Sequence, residues 1–420
     1  VNVVSLRLVN FRSYSDSRVR FSPGMNVIVG ENASGKTNLL EAAYFSLRAA
    51  SPRTSRDEKV VRWGAEFARV AAELGRLPGD DVTAAATPPA LERAAATTAA
   101  PPDATAAAAA AGTWVGKHAG RLHTVEVAYA PGQGKRVRFD GADVQNLDDL
   151  RRRAQAFIFV PESLLLIKGS PARRRAHLDA FGGAIDPGYE AAAQALQLAL
   201  RQRNAQLLRV REGGEAAALD AWDRQLAGAA IELGRRRREL VARLAARFAP
   251  FAAALAPAQG DFTLLLASHL DETGLAETAF VAALRSRRAR EVARGASALG
   301  PHRDELHVVE REAGGRLRDV RLFGSQGEQR AAVLALLLAE RAVAEEATGD
   351  LGTLFLDDVM SELDDTRRRL LARVLAAGGQ SIITTTNLLY FTDEELARAC
   401  VIELPLVESR AASPQDARDA

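Results

Sequence analysis

An α/β fold is the class this sequence predicts, on three observations. An apolar strand-like run, Met25–Val29, stops at a glycine and gives way to helical periodicity from Asn38. A second apolar run, Thr353–Leu356, stops at two carboxylates. Between them, from about Tyr189, apolar residues recur at spacings of three, four and seven, the pattern of long packed helices.

Each element follows from its own pattern. The first thirty residues alternate as half-buried strands do, with Val4, Leu6 and Leu8 on one face and Val19 and Phe21 on another. Pro23-Gly24 turns the chain into the buried strand Met25–Val29. Leu39, Leu40, Ala43 and Leu47 then share one helix face. Val70–Leu74 and Thr124–Tyr129 read as strands around a stretch rich in Ala, Pro and Thr, residues 76–113. Its composition has little to bury and predicts a disordered insert. Phe157–Val160 is a further strand. Leu196, Leu200, Leu207 and Val210 mark one helix, Gly213-Gly214 breaks it, and Leu219 through Leu244 mark another. Two helices joined by a glycine turn predict a short antiparallel, coiled-coil-like arm, with Arg203 and Arg236 interrupting its seams. Strands recur at Leu264–Leu266 and Leu306–Val309, a helix at Gly327–Ala342, another at Asp364–Leu375 and a last core strand at Ser381–Thr385. The tail after Glu408 is expected to be unstructured.

At 420 residues, with 47% apolar and 26% charged side chains, the chain suits a globular protein of more than one packed unit. A net charge of +2 is too small to name a partner. The arginine runs at 151–153, 173–175, 235–238 and 285–294 read as solvated helix faces. One cysteine, Cys400, excludes an internal disulfide and predicts a reducing cytoplasm. No apolar run approaches the roughly 18–20 residues that span a bilayer, and the first residues lack a secretory apolar core. Neither a membrane nor export is expected.

Three short strings carry chemistry. Gly30-Glu31-Asn32-Ala33-Ser34-Gly35-Lys36-Thr37 has the spacing of a P-loop. Gly30 and Gly35 let the backbone fold so that its N–H groups surround phosphate oxygens, and the next helix adds its positive end. Lys36 reaches the β- and γ-phosphates of ATP, and the Thr37 hydroxyl ligates Mg²⁺. Asp357 and Asp358 end an apolar strand as a Walker B element does, Asp357 for Mg²⁺ and Asp358 for the attacking water. Ser361, with Asp364 three residues on, has the look of a helix N-cap. Ser325-Gln326-Gly327-Glu328 opens a helix about thirty residues before the acidic strand and offers a second anion-binding surface.

The order and content of these strings resemble the SMC-like branch of ABC ATPases, and most closely the RecF family. The residues that carry the resemblance are Leu8–Tyr14, the P-loop, Pro161–Arg175, Gly300–Leu306, Ser325–Gln329 and Asp357–Asp365. It implies an ABC-type head of two lobes with a short helical arm: 1–185 as the ATP-binding lobe, 186–298 as the arm, and 299–407 as the signature and Walker B part. It also implies an ATP-dependent homodimer, in which the P-loop of one copy faces Ser325–Glu328 of another. It further implies binding of single-stranded, gapped or junction DNA, slow hydrolysis, RecO and RecR proteins as partners, and a role in repair and the SOS response. Family members often carry Gln where Glu328 stands, so altered phosphate contacts are expected there. His302 is read as structural. Arg151–Arg153 and Arg173–Arg175 are candidate DNA contacts. The rival is the nucleotide-binding subunit of an ABC transporter. Its usual Leu-Ser-Gly-Gly-Gln signature is absent here.

Overall fold

The computed structural model describes residues 1–75, 122–256, 261–312, 314–376 and 378–406. The insert at 76–113 and the tail after Glu408 lie outside them. Two compact units form, Val1–Glu162 with Ala344–Ala420, and Ser163–Val343. The resemblance implies divisions at 185 and 298, whereas these compact units part at 162 and 343. Pairing regroups the segments, because strands far apart in sequence share a sheet.

The first unit has two sheets. β1 (Asn2–Phe11), β2 (Tyr14–Arg20), β4 (Ala68–Gly75), β5 (Leu122–Ala130), β6 (Gly134–Phe139) and β7 (Ala142–Asp143) form an antiparallel sheet in the order β2-β1-β4-β5-β6-β7. β3 (Met25–Val29), β8 (Ala156–Phe159), β12 (Thr353–Leu356), β13 (Ser381–Thr385) and β14 (Cys400–Glu403) form a parallel sheet in the order β14-β3-β13-β12-β8. Helix α1 (Lys36–Arg48) touches β1, β4 and β5 of one sheet and β8 and β13 of the other. It is apolar on both flanks for that reason, and Leu39, Leu40, Ala43, Phe45 and Leu47 are all buried. Parallel register sets Val29 beside Thr385 and Leu356 beside Ile383, so Gly30 and Asp357 emerge along one sheet edge. Ligands of open α/β sheets bind outside the carboxyl ends of the strands. β14 escapes the sequence pattern because its four residues alternate too briefly. A short helix, α2 (Leu147–Arg153), precedes β8; its Arg151 donates to Asp148 at 3.0 Å and to the Arg48 carbonyl.

The second unit contains α3 (Pro171–Ile185), α4 (Pro187–Arg211), α5 (Leu219–Leu255), α6 (Glu277–Arg294) and the start of α7 (Gln326–Thr348). Its sheet is β11-β10-β9, from Leu317–Asp319, Glu305–Arg311 and Asp261–Ala267. α4 and α5 pack along each other as the arm. Arg203 does not interrupt that seam but is wholly buried in it: Nε donates to Asp223 at 2.8 Å, Nη1 to Ser297 at 2.8 Å, and Nη2 faces Glu291 at 2.7 Å. Two further arginines of the supposedly solvated runs are also interior. Arg174 binds Glu305 and the carbonyls of Ile167 and Gly169. Arg237 binds Asp179, Asp304 and the Pro301 carbonyl. Burial pushes Arg237 down, yet Asp179, Tyr189 and Asp304 together hold it above its ordinary pKa. Among the described residues no helix is long and apolar enough to cross a membrane.

The Gly300–Leu306 string is structural. Gly300 sits at φ 131°, open only to glycine. His302 Nε2 lies 3.0 Å from the Ser297 carbonyl, and its buried Nδ1 has no hydrogen-bond partner among the described residues. Burial therefore pushes its pKa down to about 4. The folded ring stays neutral while the unfolded one charges near pH 6.5. Stability linked to His302 is full above that pH and falls away as pH drops towards 4, by on the order of 3 kcal/mol. Urea unfolding of the wild type and His302→Gln should show their stability gap narrowing from pH 7 to pH 4. A gap independent of pH would refute this.

Candidate functional site

The Gly30–Thr37 loop bridges β3 and α1. A Cβ on Gly30 would meet Ser34 Oγ at 2.7 Å and the Leu404 carbonyl oxygen at 3.3 Å, so a side chain there would displace the hydroxyl and crowd the loop. Ala33 and Gly35 take left-handed φ of 66° and 102°, the backbone form from which anion-binding nests are built. The N-terminus of α1 has no side-chain cap, which leaves its first N–H groups for an anion. Lys36 is buried and donates from Nζ to the carbonyls of Gly30 and Glu31, both at 2.7 Å. Ser34 Oγ is buried with no hydrogen-bond partner among the described residues, while Glu31, Asn32 and Ala33 are exposed at the rim.

The acidic strand end lies against this loop. Thr37 Oγ1 donates to both Asp357 oxygens, at 2.9 and 3.0 Å, and Thr384 Oγ1 donates to Oδ1 at 2.8 Å. Burial raises the Asp357 pKa, against the pull of those hydroxyls. Asp358 follows at φ 48°, its N–H on Thr384 Oγ1 at 2.9 Å and its Oδ1 buried without a hydrogen-bond partner among the described residues. A hydroxyl beside a desolvated carboxylate suits a hard cation, and a glycine cradle under an uncapped helix suits phosphates. These residues fit Mg²⁺ and ATP.

Ser361 is not the helix cap. Helix α8 (Asp365–Ala376) starts later, where Asp364 Oδ1 accepts from the Arg367 N–H at 2.9 Å, and Ser361 Oγ donates to the Asp358 carbonyl. The hydroxyl therefore holds the Asp358 turn.

A supporting layer escaped sequence reasoning. Glu41 of α1 is wholly buried and receives Arg12 through two bonds of 2.7 and 3.0 Å, Ser51 at 2.5 Å and Arg53 at 3.3 Å. Asn38 bonds Ser13, and Tyr14 donates to the Gly35 carbonyl at 3.1 Å. Burial pushes the Tyr14 phenol up to about 12, so it stays a donor. The Leu8–Tyr14 string thus clamps the P-loop helix. A carboxylate on a helix with two apolar flanks was the available signal.

The Ser325–Glu328 stretch lies in the second unit, at the start of α7. Glu328 accepts from the Ser325 N–H at 2.5 Å while Ser325 Oγ accepts from the Glu328 N–H at 3.2 Å, a reciprocal cap. Arg318 donates to Glu328 at 2.7 Å. Burial raises the Glu328 pKa, but Arg318 and Ser325 outweigh it and the net shift is downward. Glu328 is thereby an ionised anchor of its own helix start.

The AAA domain family model matches residues 5–82. The DNA replication and repair protein RecF of Heliobacterium modesticaldum is 33% identical over 409 residues, 96% of this chain and 97% of that one. The RecF of Thermosynechococcus vestitus is 34% identical, covering 92% and 91%. A solved structure of the recombination mediator protein RecF with ATP, in the RecFOR pathway, aligns with a TM-score of 0.71 at 25% identity over 92% of each chain. An Smc head bound to the C-winged helix domain of ScpA aligns with a TM-score of 0.52 at 17% identity, covering 96% and 94%, a likeness of fold alone. With the two-sheet unit and the α4–α5 arm, these likenesses give the fold as an ABC-type ATPase head carrying a short helical arm.

Proposed function

The chain belongs to the RecF family of DNA replication and repair proteins, and from that premise we propose that it is an ATP-operated DNA-binding switch of recombinational repair. The observation that carries this is the contact of Thr37 with Asp357 across 320 residues of chain, which unites P-loop and acidic strand. ATP with Mg²⁺ supplies a cleavable phosphoanhydride at that place. The backbone from Gly30 to Gly35 holds its phosphates, Lys36 turns Nζ from the loop carbonyls towards them, and Thr37 and Asp357 hold the metal. Asp358 presents Oδ1 as acceptor for a water proton, and hydrolysis is slow.

In this reading the nucleotide joins two copies, with Gly30–Thr37 of one against Ser325–Glu328 of the other. The closed dimer grips single-stranded, gapped or junction DNA in the cytoplasm and supports the SOS response. The RecFOR setting of the ATP-bound relative favours RecO and RecR proteins as partners. Family membership leaves the transporter subunit without support.

Sedimentation with ATP–Mg²⁺, with ADP and without nucleotide, each with gapped DNA, tests the switch. A dimer that forms only with ATP and carries DNA is expected. A monomer in every condition that ignores DNA would overturn it.

A further inference from the structure

The six-stranded sheet turns Leu6, Leu8, Val70, Val125 and Val127 inward, and the alternate residues form an outer face that the nucleotide site does not use. Register orders that face into rows. Across the middle row stand Arg18, Arg7, Ala71, Glu126, Arg138 and Asp143, each opposite the next. Adjacent rows add Arg20, Arg69 and Arg136. Arg7, Arg18, Arg69 and Arg138, with the carboxylates Glu73 and Glu126, wall a groove of 340 Å³ with Ala71 in it.

Fold stability does not account for this pattern. Arg18 lies directly opposite Arg7, a like-charge pairing that costs a few tenths to about 1 kcal/mol. Arg7 bonds Asp16 at 2.8 Å, whereas among the described residues Arg18 makes no hydrogen bond or ion pair and only biases Asp16 electrostatically. The pairs Arg7–Asp16, Arg69–Glu126 and Arg138–Asp143 are solvent-exposed, so they are worth little and exchange readily.

We propose that this face binds the phosphate backbone of nucleic acid along the groove between Arg18 and Arg138, a proposal that rests on the DNA-binding reading above. β2 and β6 are four strand spacings apart, about 19 Å. A duplex carries one negative charge per about 1.7 Å of axis with both strands counted, or one per about 3.4 Å along a single strand, so the row matches roughly six charges of one strand. A single phosphate spans too little to meet arginines on four strands, so the spread selects a polyanion over a small anionic ligand. The small residue between the arginines allows close approach, and guanidinium forks match phosphate oxygens. Contacts of this kind position the backbone without reading sequence.

The test is fluorescence anisotropy of a labelled gapped duplex with ATP–Mg²⁺ across a salt series. The double variant Arg18→Glu/Arg138→Glu is expected to bind at least about tenfold more weakly near 0.1 M salt. Its slope of log affinity against log salt should shrink by about two, with ATP affinity unchanged. Arg18→Gln, the gentler change should the double variant fold poorly, removes about one unit of slope. If the wild type binds DNA with a steep slope and both variants match it, the surface is wrong and the DNA reading stands. If the wild type binds no DNA with ATP, that reading fails and the surface with it. Loss of binding to anionic vesicles with DNA binding intact would also overturn the assignment.

Discussion

Lys36→Ala is expected to lower ATP affinity by roughly 100- to 1,000-fold while leaving the fold intact. Its Nζ carries two charge-assisted bonds to loop carbonyls, and towards phosphate it would make bonds worth about 1.5–3 kcal/mol each. Methyl-sized alanine supplies neither charge nor donor, and no other lysine or arginine hydrogen-bonds these two carbonyls among the described residues. The ATP-dependent dimer proposed above should vanish at concentrations that saturate the wild type. Calorimetric titration with ATP–Mg²⁺ reads the affinity directly. A loss of less than about threefold would mean that backbone N–H groups alone hold the phosphates, and the role given to Lys36 would be wrong.

Arg203→Leu should cost about 3–5 kcal/mol of stability in the arm, the usual penalty for breaking a buried charge network from one side. Arg203, Asp223 and Glu291 have no solvent exposure. Asp223 would keep Arg288 as a partner, but among the described residues Glu291 would keep only the Ala298 N–H on Oε1. Leucine fits the volume of the aliphatic stem and satisfies no carboxylate. Urea denaturation at pH 7 checks the size of the loss, and ATP titration of the same variant checks that the nucleotide loop, built in the other unit, is untouched. A cost below about 1 kcal/mol would show that the carboxylates take up protons and that the charge pair is dispensable.

What was legible in the sequence was whatever depends on local chemistry. The P-loop is a contiguous backbone solution to holding phosphate, so its glycines, Lys36 and Thr37 stand together. The apolar strand before Asp357 and the heptad-like spacing of α4 and α5 are equally local. Long-range pairing was not legible. Nothing near Glu41 in the chain announces that Arg12 and Arg53 close on it. Arg203 and Arg237 look like surface residues because their carboxylates, Glu291 and Asp304, come more than sixty residues later. Ser361 was misread as a cap because Ser and Asp three apart suit a helix start. The actual start lies at Asp364, once the hydroxyl is drawn to the Asp358 carbonyl.

The wedge of α1 between two sheets sets a timetable for synthesis. Its first covering, from β1, β4 and β5, is in the first third of the polypeptide, but β13 of the second covering ends at Thr385. A ribosome adding about 5–20 residues per second makes Thr37 roughly 16–64 s before Asp357 exists. Throughout that interval the part of the nascent helix that β13 will cover is bare, a natural landing place for a chaperone. A message cut short before the last strands would yield a product that cannot assemble the nucleotide cradle, marked for disposal by that same bare part.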